Sequence, residues 1–253
     1  MKKLVLLLLL ASNLVNAQNY KVVYGKKLNY SQEEIDKIKD PNIRQSLKAR
    51  IEATKKFEYE LTICNQKAKF EFVKNLSGDN NGNKWARNNG SNDHYYSIED
   101  NEVLTLRSFY GHSMITKLPF KDYYNWEITK DTVKIDQYVC YKAYHKRKGF
   151  TIDKKEITIE IEALFCPDFP LPFGPDNYYG LPGLIFYVTQ KDSDTSFYLK
   201  SIKKNDCKEE IKTPKGKIIK HEDLDNEYLK IMGEKTGMDP EKIKAKMKEV
   251  NKK

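Results

Sequence analysis

The chain has 253 residues and a formal charge of +9, and its Lys and Arg residues are spread along the sequence. A nucleic-acid-binding domain gathers such residues with aromatic rings in one patch, so this distribution argues against nucleic acid as a partner. The length suits one large or two small domains, and we predict a single domain over residues 18–253. Aromatic residues form 12% of the sequence, which favours sheets with half-buried faces.

The first residues have the three parts of a secretory signal peptide. Lysines follow the first Met, residues 4–10 are wholly aliphatic, and small residues stand at 15–17 before a cleavage site. We therefore predict a signal peptide at residues 1–17 and a location in the periplasm or outside the cell. The aliphatic run is too short to cross about 30 Å of hydrocarbon, so we expect no transmembrane helix in the mature chain.

The mature chain is predicted to begin with a strand at residues 20–24 and two short helices. A capping box over residues 31–34 marks the first helix, and Asp40 before Pro41 marks the second. An apolar residue recurs every fourth position of the second helix, which predicts a core-facing stripe and a helix end near Lys56. The stripe consists of Ile43, Leu47 and Ile51.

Strands dominate the middle of the chain. Alternating apolar residues predict a hairpin of residues 57–63 and 68–72, with its turn at Asn65 and Gln66. A polar loop follows, and its Trp85 either anchors the loop or contacts a ligand; we favour anchoring. An antiparallel meander is expected next, with strands at residues 94–98, 102–110, 113–118 and 125–129.

A longer hairpin of residues 138–147 and 156–165 comes after the meander, and a proline-rich connection leads from it to strands at 184–189 and 196–202. Helical spacing returns in a tail over about residues 221–251. We predict that this tail docks on the sheet; the alternative is a detachable helix that binds a partner or an anionic membrane surface. Its apolar residues are Leu224, Tyr228, Ile231, Met232, Ile243, Met247 and Val250, with Gly233 at the end of the first helix.

The most informative segment reads GPDNYYGLPGLIFYV at residues 174–188. Its glycines and prolines predict a sharp, stiff turn that feeds directly into a strand. It holds no obvious nucleophile, metal ligand or general base. The motif residues, which we interpret as structural or as the rim of a binding site, are Gly174, Pro175, Gly180, Leu181, Pro182, Gly183, Leu184 and Ile185.

Four motifs in fixed order resemble the GLPGLI family: CYKA at 140–143, PDFP at 167–170, GP at 174–175 and GLPGLI at 180–185. The resemblance covers about residues 126–204. It implies a small exported protein of Bacteroidota without an established biochemical activity. Family members often have a tryptophan in the strand before the proline-rich stretch, whereas this chain has ALFC at 163–166, so a role for that indole does not carry over.

The four cysteines suit an oxidising compartment, and sequence alone allows three pairings. We favour a bond between Cys140 and Cys166, on the two arms of one hairpin, although strict register would place them several residues apart and a bend would be needed. Cys64 and Cys207 would form the other bond.

No recognisable catalytic constellation is present, so we predict no catalytic residues, no metal and no cofactor. Cys140 and His145 stand five residues apart on one strand and should point to opposite faces. The remaining histidines, His94, His112 and His221, lack zinc-type spacing.

The sequence therefore predicts a mainly β protein: an antiparallel curved sheet or partly open barrel, with short accessory helices at both ends. Its predicted function is non-enzymatic binding of a hydrophobic ligand or another envelope protein. Two alternatives stay open, a hydrolase whose site is assembled from dispersed residues and a structural component of a surface or export assembly.

Overall fold

A computed structural model describes residues 19–73, 92–150, 156–191, 194–220 and 223–250. The predicted signal peptide, Trp85 and His221 lie outside the described residues, as do the side chains of Met247 and Val250.

Twelve strands form one sheet in the order β12-β6-β5-β4-β3-β2-β1-β11-β10-β9-β8-β7. Their bounds are β1 Tyr20–Leu28, β2 Glu58–Cys64, β3 Lys67–Phe72, β4 Asp93–Ser97, β5 Glu102–Phe109, β6 His112–Leu118, β7 Glu127–Ile135, β8 Tyr138–Phe150, β9 Glu156–Cys166, β10 Leu184–Gln190, β11 Thr195–Lys204 and β12 Ile218–Ile219. The short β12 pairs with β6 in parallel, and the other pairs are antiparallel. The two end strands do not meet, so the predicted β-rich fold is confirmed as an open sheet and not a barrel.

One face of the sheet, here called the inner face, carries the core. In β2 the side chains of Tyr59, Leu61 and Ile63 are fully buried, and the residues between them are only partly buried, which confirms the predicted period of two. The β2–β3 turn lies at Asn65 and Gln66 as predicted, and Asn65 adopts a left-handed φ of 56°. Asparagine tolerates this conformation better than most residues because its short polar side chain bonds locally.

Two short helices follow β1, as predicted. Helix α1 spans Gln32–Asp36 behind a complete capping box, and helix α2 spans Pro41–Lys55 behind Asp40. Helix α2 packs against β1 and buries Leu47. The predicted stripe is wrong at one end, because Ile43 in the first turn is 58% exposed.

The tail forms helices α3 (Leu224–Thr236) and α4 (Pro240–Val250). Helix α3 ends at Gly237 with a φ of 66°, four residues after the predicted end at Gly233. Its buried Leu224 and Ile231 pack with Met114 of β6 and Ile219 of β12, so the tail docks on the sheet.

The cysteines separate into one bond and one pair of thiols. Cys64 at the end of β2 is bonded to Cys207, which follows β11, across 143 residues of chain. Cys140 and Cys166 are buried thiols in this structure. The predicted offset between these two is wrong, because β8 runs on to Phe150 and its observed register with β9 brings them opposite each other.

We expect the Cys64–Cys207 bond to contribute about 3 to 5 kcal/mol to the free energy of unfolding, because it closes a long loop in the unfolded chain. Replacing both residues with Ser should lower the denaturant midpoint accordingly. The single variant Cys64→Ser, which also lacks the bond, serves as the control and should unfold at the midpoint of the double variant. An unchanged midpoint in both samples would show that the bond contributes nothing.

Candidate functional site

Residues 167–183, here called the motif segment, leave β9 and enter β10 without forming a helix or strand. The segment is bonded to itself and to the start of β10. The amide of Gly180 donates to the carbonyl of Pro172 at 2.9 Å, and that of Ile185 donates to Phe173 at 3.1 Å. Its prolines prevent regular strand pairing, so these turns are what satisfies its backbone.

The motif segment packs across the inner face of the sheet. Its Phe173 and Tyr179 are fully buried and meet the ring of Tyr96 on β4 edge-on, each at 5.8 Å between centroids. Its Phe169 meets Tyr20 on β1 at 5.6 Å. The segment's own side chains therefore fill the space beside β1 and β4 in which a hydrophobic ligand would sit.

Ring donors hold the backbone of the motif segment in place. The indole of Trp126 donates to the carbonyl of Tyr179 at 2.9 Å, and the hydroxyl of Tyr124 donates to that of Asn177 at 3.1 Å. At the segment's exit the Tyr24 hydroxyl donates to Ile185 at 2.7 Å. These bonds satisfy carbonyls that a buried loop would otherwise leave without partners.

The predicted motif residues lie mostly in the core. Gly180 and Pro182 are exposed, and the buried members are Gly174, Pro175, Leu181, Gly183, Leu184 and Ile185. Gly180 has a φ of +88°, which an L side chain rarely adopts. Gly183 is required for a different reason, since a Cβ there would lie 2.5 Å from the carbonyl oxygen of Cys166.

A chain of polar groups lies under the motif segment. His94 Nε2 lies 3.0 Å from the carboxylate of Asp176, and its Nδ1 lies 3.0 Å from the hydroxyl of Thr105. Because a carboxylate only accepts, Nε2–H donates to Asp176, and in a neutral ring Nδ1 accepts from Thr105. Burial lowers the pKa of the Lys26 ammonium, and the nearby Asp176 partly opposes that effect.

This polar chain resembles a hydrolase triad in composition but not in access. Thr105 is 3% exposed and His94 is 2% exposed, so neither the hydroxyl nor the ring meets solvent. We therefore infer that this chain of polar groups holds Asp176 and the motif segment against β4.

The other histidines and cysteines weighed in the sequence analysis do not come together. The Nδ1–H of His145 donates to the carbonyl of Asn125 at 3.1 Å, and the ring packs against those of Tyr124 and Trp126, whereas Cys140 contacts Cys166. His112 is exposed on β6. Within the described residues no group of three or more His, Cys, Asp or Glu side chains is arranged to hold a metal ion.

A cavity of about 1050 Å³ lies on the opposite face of the sheet and is here called the outer cleft. Its floor is the outward side of β1 to β4, and its wall is the chain at residues 205–212, which the Cys64–Cys207 bond holds beside β2. Register places Lys21, Thr62, Lys69 and Tyr95 in one row across the four strands. The floor is rigid, because each of its residues belongs to a paired strand.

Charges of both signs line the outer cleft. Lys21 pairs with Glu60 at 2.9 Å, and Lys69 pairs with Glu71 at 2.6 Å and lies over the Tyr95 ring. The wall adds Asp206, Lys208, Glu209, Glu210 and Lys212. Strand alternation predicted that this face would be polar, but the wall depends on a bond between residues 143 positions apart, which no local pattern reveals.

A second, smaller cavity of about 230 Å³ lies beside His145 and Ile161, between β8, β9 and β10. Sites for drug-sized ligands occupy about 300 to 1000 Å³, so this one falls below that range.

None of the helices in the described ranges is long and apolar enough to span a bilayer.

Residues 145–187 match the model of a family described as a protein of unknown function, Porph_ging. No curated protein matches the sequence. The matched range runs from the second half of β8 through the motif segment into β10, so it coincides with the part of the chain that fills the inner face.

Two solved structures show a distant likeness: PNGF-II in space group C2, with a TM-score of 0.48, and PNGF-II in space group P21, with 0.45. Each is 18% identical; they cover 84% and 81% of this chain but only 32% and 31% of their own chains. This chain therefore spans about one third of their length. At such scores the likeness carries no argument about function.

Asp176→Ala should lower the free energy of unfolding by about 1 to 3 kcal/mol more than Asp122→Ala, because it leaves the buried His94 donor without its partner. The two aspartates are matched in backbone, with φ values of 53° and 62°, and Asp122 is exposed. Denaturant unfolding of both variants measures the difference. Equal losses would show that the contact with His94 adds no stability.

Gly183→Val should lower the free energy of unfolding by about 3 kcal/mol or more, because its side chain would overlap the backbone of Cys166. Gly111→Ala is the contrasting variant: Gly111 has a φ of +83° but open space around it, so only the backbone cost of about 1 kcal/mol applies. Thermal unfolding of both proteins tests this. A Gly183→Val protein as stable as wild type would mean that the close approach does not exist.

Proposed function

We propose that this chain is an exported, non-enzymatic protein of the cell envelope, related to the GLPGLI family, that binds another envelope protein. Export is supported by the signal-like first residues, and the family by four motifs in their expected order. Residues 145–187, which match the Porph_ging model, contain the last three of these four motifs.

One observation carries the choice of ligand class: the motif segment itself occupies the inner face. Phe173, Tyr179 and Leu181 are fully buried there. A hydrophobic ligand at that place would have to displace them from the core and break the hydrogen bonds from Tyr124 and Trp126. The outer cleft, in contrast, is already open and about 1050 Å³ in volume.

The outer cleft suits a polypeptide better than a lipid. Its floor has one row with Lys21 and Lys69 and a neighbouring row with Glu60 and Glu71, and its neutral members, Thr62 and Tyr95, add hydroxyl groups. A protein surface with the reverse pattern gains Coulomb energy at every position, whereas an apolar chain would lose the hydration of these charges without compensation. Complementary patterns of this kind select partners more than they add affinity.

The hydrolase alternative has weaker support. The convergent polar groups around His94 have no access to solvent. In the outer cleft the Thr62 hydroxyl donates to Glu60 at 3.2 Å, but that carboxylate is also ion-paired with Lys21 at 2.9 Å. A structural role in an assembly would use the same surface and differs in stoichiometry, because the partner would co-purify at a fixed ratio.

Lys69→Glu tests the proposal in the native envelope. The substitution places a third carboxylate beside Glu60 and Glu71, so capture of a partner from a solubilised envelope fraction should fall by about tenfold or more. Lys130→Glu changes the same charge on the exposed strand β7 and should leave capture unchanged. Both proteins should keep the wild-type melting temperature within about 2 °C, since exposed ion pairs contribute little.

Capture that the Lys69→Glu protein retains in full would contradict binding at the outer cleft. If wild-type protein captures no partner, either in detergent or after mild cross-linking, the result would contradict the proposal as a whole.

A further inference from the structure

Cys140 and Cys166 face each other across the β8–β9 pair. Tyr141 is the partner of Phe165 in this pair, and continuing the register by one residue sets Cys140 opposite Cys166. Opposite residues of an antiparallel pair have Cα atoms about 4.5 to 5.5 Å apart, which lies within the range that a disulfide spans. The two thiols already contact each other through a side-chain hydrogen bond.

We infer that Cys140 and Cys166 are a second oxidation site and close to a disulfide when the chain folds in an oxidising compartment. The step is thiol–disulfide exchange with a small or protein disulfide as the oxidant. One thiolate attacks the oxidant's disulfide, forms a mixed disulfide and releases one thiol of the oxidant. The other thiolate of the pair then attacks the mixed disulfide and releases the oxidant's second thiol. The pair loses two protons and two electrons, and the oxidant leaves as two thiols.

The position of the pair decides when the bond forms. Both side chains are fully buried. Burial raises the pKa of the Cys140 thiol to about 12 and also raises that of Cys166. The reactive thiolate is therefore scarce in the folded protein and no oxidant reaches it. Exchange takes place while the hairpin is still open, and folding then encloses the product.

The bond ties β8 to β9 at the residue where the motif segment leaves the sheet. The carbonyl of Cys166 lies against Gly183 and accepts from the amide of Phe169 at 3.3 Å, and the backbone amide of Asp168 donates to the Cys166 sulfur. A disulfide there braces the start of the motif segment without new contacts, because the sulfur of Cys166 still accepts from Asp168. The Cys64–Cys207 bond borders the outer cleft instead, where a reductant reaches it.

The test counts thiols in the full chain after refolding from the reduced, unfolded state with oxidised glutathione. The protein is then denatured, alkylated with N-ethylmaleimide and digested. We expect no label on any of the four cysteines, and in a Cys166→Ser variant we expect label on Cys140 alone. Label on both Cys140 and Cys166 in wild-type protein, with Cys64 and Cys207 protected, would overturn the inference.

A second measurement uses the difference in access. Under a mild reductant without denaturant, Cys64 and Cys207 should become labelled first, and Cys140 and Cys166 only in denaturant. The oxidised wild type should also melt about 5 °C or more above the Cys166→Ser variant. Simultaneous reduction of both bonds in native protein, or equal melting temperatures, would contradict a bond enclosed by the fold.

Discussion

The whole arrangement depends on how closely the motif segment approaches the sheet. At Gly183 the two backbones are so near that a single Cβ would overlap the carbonyl of Cys166. This contact aligns β10 beside β9 and brings Phe173 and Tyr179 onto the inner face, where tyrosine and tryptophan donors satisfy the segment's carbonyls. A larger residue at position 183 would separate the strands and expose the aromatic side chains together. The conformation of the motif segment and the packing of the core therefore depend on each other.

That constraint also leaves the opposite face of the sheet as the place for a binding site. A sheet of this size commonly uses its apolar face to hold a ligand, but here the chain's own segment takes that place and brings its own hydrogen-bond acceptors. The surface that stays open is charged, and a disulfide holds its wall. The inner face is therefore the part that stabilises the fold, and the outer cleft is the part that we propose as the partner surface.

Local patterns were sufficient for the elements and insufficient for the sites. Alternation in β2, the capping box of α1 and the cap at Asp40 each depend on residues a few positions apart, so the sequence predicted them correctly. The predicted β8–β9 register is wrong because the first arm of the hairpin was expected to end at residue 147, whereas β8 continues to Phe150. The contact of His94 with Asp176 joins residues 82 positions apart, and only the folded motif segment brings them together. Ile43 shows the same limit, since its helical spacing is right but its side chain in the first turn is exposed.

Hydrogen exchange of the backbone amides tests the central claim most directly. If the motif segment is an integral part of the core, the amides of Gly180, Leu184 and Ile185, which donate to carbonyls of the segment, should exchange as slowly as those of β1 and β2 and only by global unfolding. Their protection should then fall in parallel with global stability as denaturant is added. Fast exchange at these three amides, with β1 and β2 still protected, would show that the segment opens on its own and that the inner face is available to a ligand.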